Sequence, residues 1–166
     1  MTRESYIRIT DAARRTLRRL PGGEALLRLP TYLCAAVYML TLLHLMLTRD
    51  VRLFRALLVP AACFIVCTLL RPVIRRQRPY DRFGAPPVGS YTPGKGKSMP
   101  SRHTASAAAI AFAIIYVFPC VPSAAVMLAL AALIAFLRVA SGQHYPTDVL
   151  AALLLSGVIS LAGYLL

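Results

Sequence analysis

The amino-acid sequence predicts an all-α integral membrane protein, a helical bundle of about five transmembrane helices preceded by an amphipathic helix at the membrane interface. Hydrophobic residues make up 58% of the 166 residues. Charged residues make up only 15%, against about 25% in a typical soluble domain. The formal net charge is nevertheless +13. Apolar runs joined by basic connectors are typical of a membrane protein and not of a soluble domain or a nucleic-acid binder.

Residues 1–28 form a basic segment that begins with the periodicity of an amphipathic helix. Its apolar positions recur at spacings of three and four, with arginines around them, at Tyr6, Ile9, Ala13, Leu17 and Leu20. This pattern favours a helix that lies in the interface, with its arginines on anionic headgroups, over a solvated basic tail.

Five apolar segments follow, and each is a candidate membrane span. They run approximately over Leu29–Thr48, Leu53–Leu70, Thr104–Phe118, Ser123–Leu137 and Val149–Leu166. A transmembrane helix needs about 20 residues, so we expect the short third and fourth helices to extend into the polar residues at their ends. We expect one domain over residues 1–166, with a Pro/Gly-rich loop at 79–100 between the second and third spans.

Three clusters of polar residues stand beside these segments, at Arg71–Pro79, Pro100–His103 and Arg138–Asp148. Ionisable residues at the centre of a membrane cost about 2.5–3.5 kcal/mol each on insertion scales, so such clusters indicate function. The second and fourth segments end on the membrane face where the third and fifth begin. All three clusters are therefore predicted to converge on that face.

The residue types of these clusters suit phosphate chemistry. Arginines offer planar forks of donors, and the starts of two helices add backbone N–H groups. A neutral imidazole can attack phosphorus, and an imidazolium can protonate a leaving oxygen. Asp148 stands four residues after His144 and can hold its imidazole in the attacking tautomer. His103 has no acidic neighbour in the sequence, which leaves it free to act as the acid.

The clusters resemble the signature of the type-2 phosphatidic acid phosphatase superfamily, which is related in motif to the vanadium haloperoxidases. That signature is Lys-x6-Arg-Pro, Pro-Ser-Gly-His and Ser-Arg-x5-His-x3-Asp. The counterparts in this chain are Arg71-x6-Arg78-Pro79, Pro100-Ser101-Arg102-His103 and Arg138-x5-His144-x3-Asp148. Three departures stand out, since Arg71 replaces lysine, Arg102 replaces glycine, and Leu137 replaces the serine before Arg138.

The resemblance implies a metal-independent membrane phosphatase without a cofactor, with His144 as nucleophile, Asp148 as its partner and His103 as general acid. It also implies phosphate binding by Arg71, Arg78, Ser101 and Arg138, while Arg102 is either a further ligand or a bystander. The substrate would be a lipid phosphomonoester or an isoprenyl diphosphate, hydrolysed through a phosphohistidine. Phosphatidylglycerophosphate, phosphatidate and undecaprenyl diphosphate all fit, and no nucleic-acid partner is expected.

Two other functions stay open, a non-catalytic protein that binds or transports anionic lipid, and a basic membrane scaffold. Several further residues have a plain interpretation. Arg75, Arg76 and Arg82 are favoured as headgroup anchors, and His44 as a packing residue. Lys95 and Lys97 fit a substrate guide and a solvated loop equally well.

The distribution of basic residues predicts that the site faces the cytoplasm of a multi-pass cell-membrane protein. With five spans, sixteen of the nineteen Lys and Arg residues lie on the side of the site, and the other side has Arg49, Arg52 and Arg55. An excess of Lys and Arg marks the cytoplasmic side. The catalytic face of six-span relatives is usually extracytoplasmic, so the two arguments disagree.

Overall fold

The computed structural model describes residues 1–19, 23–89, 91, 93 and 96–165, and the regular structure in these ranges is entirely helical. Eight helices lie in these ranges. They are α1 (Arg3–Arg18), α2 (Gly23–Leu26), α3 (Leu29–Leu47), α4 (Arg52–Ile74), α5 (Pro79–Phe83), α6 (Arg102–Val117), α7 (Val121–Ala140) and α8 (Pro146–Leu165). The predicted all-α class is confirmed, and the expected loop at 79–100 begins with the short helix α5.

Four helical stretches of the described chain are long and apolar enough to cross a membrane, at Leu29–Leu47, Arg52–Phe83, Val121–Ala140 and Pro146–Leu165. The third predicted span, which corresponds to α6, is apolar but has 16 residues, just below the usual range of about 17–25. As expected, α6 and α7 extend into the polar clusters, because α6 begins at Arg102 and α7 runs past Arg138. The protein is therefore multi-pass.

Helix α6 lies at the centre of the bundle and packs against α3, α4, α7 and α8. Its buried residues include six alanines, together with three larger side chains. They are Thr104, Ala105, Ala107, Ala108, Ala109, Ala111, Ala113, Ile114 and Val117. Small side chains allow close approach of neighbouring backbones, which is how membrane helices gain packing contacts without a hydrophobic driving force between them. The alanine run thus explains the central position of α6.

Helices α4, α6 and α8 meet at a cluster of small buried residues, among them Cys63, Ala105 and Ala152. The Ser156 hydroxyl of α8 donates a 2.9 Å hydrogen bond to the Ala105 carbonyl of α6. Its oxygen also lies 3.3 Å from the Cys63 sulfur. These contacts join the first turn of α6, where one polar cluster lies, to the middle of α8 and to α4.

At the other end of the bundle, polar contacts join the start of α4 to the end of α6. The Arg52 guanidinium pairs with Asp50 and donates a 2.8 Å hydrogen bond to the carbonyl of Val117, the last residue of α6. An arginine thus satisfies one of the carbonyls left free at the end of a helix. His44 lies at this end with its ring centroid 5.9 Å from that of Phe118. Its packing is peripheral, because the side chain is exposed.

Helix α1 forms as predicted, but part of its predicted lipid-facing stripe packs against protein. Tyr6 and Thr10 are buried, and the Tyr6 hydroxyl donates to the Ala85 carbonyl at 3.0 Å. Arg14 reaches the Pro86 carbonyl at 3.2 Å. Helix α1 is therefore docked on the segment that follows α5. Contact of its remaining arginines with anionic lipid stays a prediction, and Leu20 lies outside the described residues.

Gly142 lets α1 approach the loop between α7 and α8. It has a φ of +76°, and a Cβ atom there would lie 2.5 Å from Thr10 Cγ2 and 2.8 Å from Tyr6 Cε2. Such distances leave no room for any side chain. The docked position of α1 therefore depends on a glycine two residues before His144.

We expect Gly142→Ala to lower the thermal stability of the protein and to release α1. A left-handed alanine costs about 1–2 kcal/mol, and the added methyl group costs about 1–3 kcal/mol through overpacking. The unfolding temperature in detergent measures the first effect. Cleavage of α1 by a protease at limiting concentration measures its release.

Gly84→Ala is the matched control, because Gly84 also has a positive φ of +66° but a Cβ there meets nothing within 4 Å. It isolates backbone strain from the clash with α1. If Gly142→Ala and Gly84→Ala lowered the unfolding temperature equally and α1 resisted the protease equally in both, the docking role of Gly142 would be contradicted.

Candidate active site

His144 lies in the short connector between α7 and α8, which is tied to its surroundings by backbone hydrogen bonds. The N–H groups of His144 and Gln143 donate to the Arg138 carbonyl at 3.1 and 3.2 Å. The Val88 N–H donates to the Ser141 carbonyl at 2.8 Å. The His144 side chain is 3% exposed. A buried imidazole on a tightly held loop has little freedom to leave the site.

Asp148 lies in the first turn of α8 with its carboxylate completely buried. One oxygen, Oδ2, accepts hydrogen bonds from the Ser98 hydroxyl and from the Tyr145 N–H. The other, Oδ1, lies 2.7 Å from the Arg76 guanidinium. Donors on both oxygens compensate the cost of burying this charge. The carboxylate is consequently fixed in place.

The His144 Nδ1 atom lies 3.5 Å from Asp148 Oδ2. This separation is longer than the roughly 2.7–3.2 Å of a well-formed N–H···O bond. Catalytic hydrogen bonds are often long before a ligand binds and tighten in the complex. The two groups are therefore neighbours, with no formed hydrogen bond at His144 Nδ1, and the role of Asp148 as partner of His144 stays a prediction. Pro146 starts α8 between them as expected.

Arg76 is a site residue that sequence reasoning missed. Besides its pair with Asp148, it donates to the Thr147 hydroxyl at 2.7 Å, and its guanidinium carbon lies 4.2 Å from the centroid of the Tyr145 ring. These contacts correct the interpretation of Arg76 as a headgroup anchor. Nothing local in the sequence distinguishes it from Arg75, because its partner is far along the chain and meets it only in the folded bundle.

Arg71, a predicted phosphate ligand, is buried and bound to protein. Its guanidinium donates through Nε and Nη2 to the Lys97 carbonyl, with the Nε contact at 3.0 Å. It thereby holds the end of the 79–100 loop against α4. Direct contact of Arg71 with phosphate stays a prediction. Lys95 lies outside the described residues.

Ser101 occupies the N-cap position of α6 as expected, but its side chain forms no capping hydrogen bond. Its hydroxyl oxygen instead accepts from the Thr104 hydroxyl at 3.1 Å. The Ser101 N–H donates to the Asp148 carbonyl at 3.2 Å. The starts of α6 and α8 are thus directly bonded, and the positive ends of two helix dipoles lie together.

A cavity of about 420 Å³ opens at this end of the bundle. Its lining includes four arginines and one histidine, and none of the described residues that line it is acidic. The basic residues are Arg28, Arg78, Arg102, His103 and Arg138. Concentrated positive charge at the starts of two helices is the arrangement expected of an anion-binding site.

The structure brings all eight predicted site residues to this end. Arg78, Arg102, His103 and Arg138 line the cavity, whereas Arg71, Ser101, His144 and Asp148 are buried. His103 lies within electrostatic reach of both His144 and Arg138, so the three sequence clusters do converge. The Arg138 guanidinium also donates to the Gln143 side chain at 2.8 Å, which fixes it beside the His144 loop.

A second cavity, of about 340 Å³, adjoins the first. It shares Thr31, Arg102 and His103 with the charged cavity, and the rest of its lining is mostly apolar. These residues come from α3, α4, α6 and α7, at Cys34, Ala35, Phe64, Ser106, Ala107, Ile110 and Ile134. A charged chamber therefore opens beside an apolar one within the membrane bundle.

The fold and the site define a multi-pass helical membrane protein with an arginine-lined cavity near the neighbouring His144 and Asp148. The chain belongs to the PAP2 superfamily, whose family profile matches residues 52–166. The profile includes all eight predicted site residues, whereas α1, α2, α3 and Arg28 precede it. A comparison with curated protein sequences gives no match.

Two solved structures share the fold. The crystal structure of Aquifex aeolicus LpxE is 21% identical with a TM-score of 0.72, covering 96% of this chain and 92% of the other. The structure of a transmembrane PAP2-type phosphatidylglycerolphosphate phosphatase from Bacillus subtilis is 23% identical with a TM-score of 0.69, covering 96% and 83%. At these identities the likeness establishes the architecture.

The environment of His144 favours its neutral form. Burial lowers the pKa of the imidazole below its ordinary value of 6.5, the Asp148 carboxylate opposes this effect, and Arg78 and Arg71 add to it. Burial and the two arginines prevail, so the pKa lies below 6.5. A neutral imidazole is the form that can act as a nucleophile.

We expect an NMR titration in detergent micelles to give a His144 pKa below 6.5, with its signal assigned by loss in His144→Asn. Arg78→Gln should raise this pKa, because it removes a nearby positive charge. Asp148→Asn should lower it further, because the carboxylate stabilises the imidazolium. A His144 pKa at or above 6.5, or shifts of opposite sign in the two variants, would contradict this electrostatic description.

Proposed function

We propose that the protein is an integral-membrane lipid phosphatase that hydrolyses a phosphomonoester or a diphosphate through a phosphohistidine. The observation that supports it best is the junction of the two cavities at Arg102 and His103. A phosphate group suits the arginine-lined chamber, and a lipid tail suits the apolar one. A lipid phosphate has both parts in one molecule.

His144 is the proposed nucleophile. Because Nδ1 faces Asp148, the other ring nitrogen, Nε2, is the atom available to attack phosphorus. The Nε2–P bond forms as the bond from phosphorus to the leaving oxygen breaks, and His103 donates its proton to that oxygen. A water molecule then attacks the phosphohistidine, His103 takes up the water proton, and inorganic phosphate and neutral His144 are released.

The charge for this reaction comes from the chain itself. Arg78 and Arg138 line the cavity beside His103, and the starts of α6 and α8 point their backbone N–H groups toward the same end. Donors placed where negative charge develops lower the barrier to phosphoryl transfer. Among the described residues, no group of three His, Cys, Asp or Glu side chains is placed to hold a metal. We therefore propose metal-independent hydrolysis, supported by the arginine lining.

We expect His144→Ala to abolish phosphate release from lipid phosphates in mixed micelles, because no phosphoenzyme can form. His103→Ala should slow phosphoenzyme formation about 10²–10⁴-fold through loss of general acid catalysis. Rapid quench with labelled lipid should trap an acid-labile, base-stable phosphoenzyme in the wild type.

His44→Ala is the matched control, since His44 lies at the opposite end of the bundle, and it should keep wild-type turnover. Turnover should also persist in EDTA. A lipid-binding or transport protein would bind these lipids without releasing phosphate from any of them. Full activity in His144→Ala would rule out the phosphohistidine mechanism.

The proposed orientation places the site on the cytoplasmic side, as the excess of basic residues favours. Cys120 offers a test, because it lies in the connector between α6 and α7, at the end opposite the site. It is exposed, whereas Cys34, Cys63 and Cys67 are buried. Hydrogen bonding with Ser123 lowers the pKa of the Cys120 thiol, which increases the share of reactive thiolate.

We expect a membrane-impermeant maleimide to label the protein in intact cells, because a cytoplasmic site leaves Cys120 outside. Cys120→Ser should remove the label and so confirm its position. Labelling that requires permeabilised cells, while a permeant maleimide reacts in both, would place the site outside.

A further inference from the structure

The charged cavity contains more arginine than one phosphate group needs. Arg78 and Arg138 suffice for a dianionic phosphate beside His103, and Arg71 lies buried within electrostatic reach of Arg78. Arg28 and Arg102 line the same cavity in addition. Neither forms an ion pair within the described part of the chain.

The two extra arginines belong to no shared family motif. Arg28 precedes residues 52–166, which the family profile matches. Arg102 stands where the family signature has glycine. They reach the cavity from separate elements, because Arg28 is the N-cap residue of α3 and Arg102 is the first residue of α6. The charge they add is therefore a property of this chain and not of the common catalytic set.

Their positions lie on the route from the reacting phosphate to the tail. Arg102 lines both cavities, and its guanidinium carbon lies 5.9 Å from the centroid of Phe64 in the apolar one. Arg28 lies beside Leu27 and Thr31 in the lining, and Thr31 is also shared by the two cavities. Arg102 thus lies at the junction itself, and Arg28 lies on the charged side of it, one helical turn before the shared residue Thr31.

The uncompensated positive charge of the cavity lining favours a second anion at this junction. Arg28, Arg78, Arg102 and Arg138 line one cavity, so their like charges repel one another. No carboxylate among the described lining residues offsets this repulsion. One dianionic phosphate neutralises about two of these charges, and a second phosphate would neutralise the remainder.

We propose that Arg28 and Arg102 form a subsite for a second phosphate group, placed between the reacting phosphate and the lipid tail. The protein thereby selects lipids that carry two phosphates over lipids that carry one. This inference rests on the proposed lipid phosphatase activity. The second phosphate is either joined directly to the first, as in a diphosphate, or separated from it by glycerol, as in phosphatidylglycerophosphate.

Three lipids with the same diacylglycerol tail distinguish these cases in mixed micelles. Phosphatidate carries one phosphate, diacylglycerol diphosphate carries two in direct linkage, and phosphatidylglycerophosphate carries two across a glycerol. We expect the wild type to show kcat/KM at least about tenfold higher on one or both two-phosphate lipids than on phosphatidate, as charge-assisted hydrogen bonds to a further anion imply. The preferred member identifies the linkage.

Arg28→Gln and Arg102→Gln should each reduce this preference about tenfold, measured as the ratio of kcat/KM between the two-phosphate lipid and phosphatidate. Arg28→Lys and Arg102→Lys should restore part of the ratio, because they keep the charge but lose the planar fork. Arg55→Gln is the matched control at the opposite end of the bundle and should leave the ratio unchanged.

The outcomes separate this inference from the proposed function. Turnover of lipid phosphates with no preference for two phosphates, or equal losses on all three lipids in the arginine variants, would overturn the second subsite alone. No turnover of any of the three lipids by the wild type would instead overturn the proposed phosphatase activity.

Discussion

The packing of one small-residue helix determines the arrangement of all the others. Helix α6 is surrounded by α3, α4, α7 and α8, and six alanines on its buried surface let their backbones come close. Its first turn carries Arg102 and His103 to the same end at which α4 and α7 finish and α8 begins. A larger residue at Ala105 or Ala109 would separate α4 from α8, because both alanines lie in the cluster where the three helices meet. The site is consequently a product of helix packing, and not of a loop that folds independently.

Hydrogen bonds to the buried Asp148 carboxylate join the same helix ends that this packing brings together. This carboxylate is the acidic group around which the basic clusters are organised, and it has donors from Ser98 in the loop before α6, from the Tyr145 N–H in the connector before α8 and from Arg76. A buried carboxylate is stable only while those donors remain in place. Arg76 therefore couples the end of α4 to the start of α8, and it also covers the Tyr145 ring beside His144. His144, the proposed nucleophile, is thus surrounded by a hydrogen-bond network that extends beyond Asp148.

The N-terminal helix α1 packs against the segments that hold the site residues. Its polar and aromatic residues Tyr6 and Thr10 are buried against Gly142, and Arg14 binds the backbone after α5. The segment predicted to rest on lipid thus contacts both the loop after α5 and the connector between α7 and α8. Its exposed arginines, Arg8, Arg15 and Arg19, remain free to meet anionic headgroups. The predicted contact of these arginines with lipid would link the membrane interface to the site.

The sequence by itself determined the helical class, the apolar segments, and the convergence of the three clusters on one face. Those features follow from local pattern: hydrophobic length defines a span, and the order of spans defines which ends meet. Local pattern also placed Ser101 at the start of α6 and Pro146 at the start of α8, since N-cap and first-turn preferences act over a few residues. The tertiary structure alone decided that the Ser101 hydroxyl does not cap and that Arg76 pairs with Asp148. It also decided that Arg28 joins the charged cavity, because such contacts depend on the distance between helices, which periodicity does not encode.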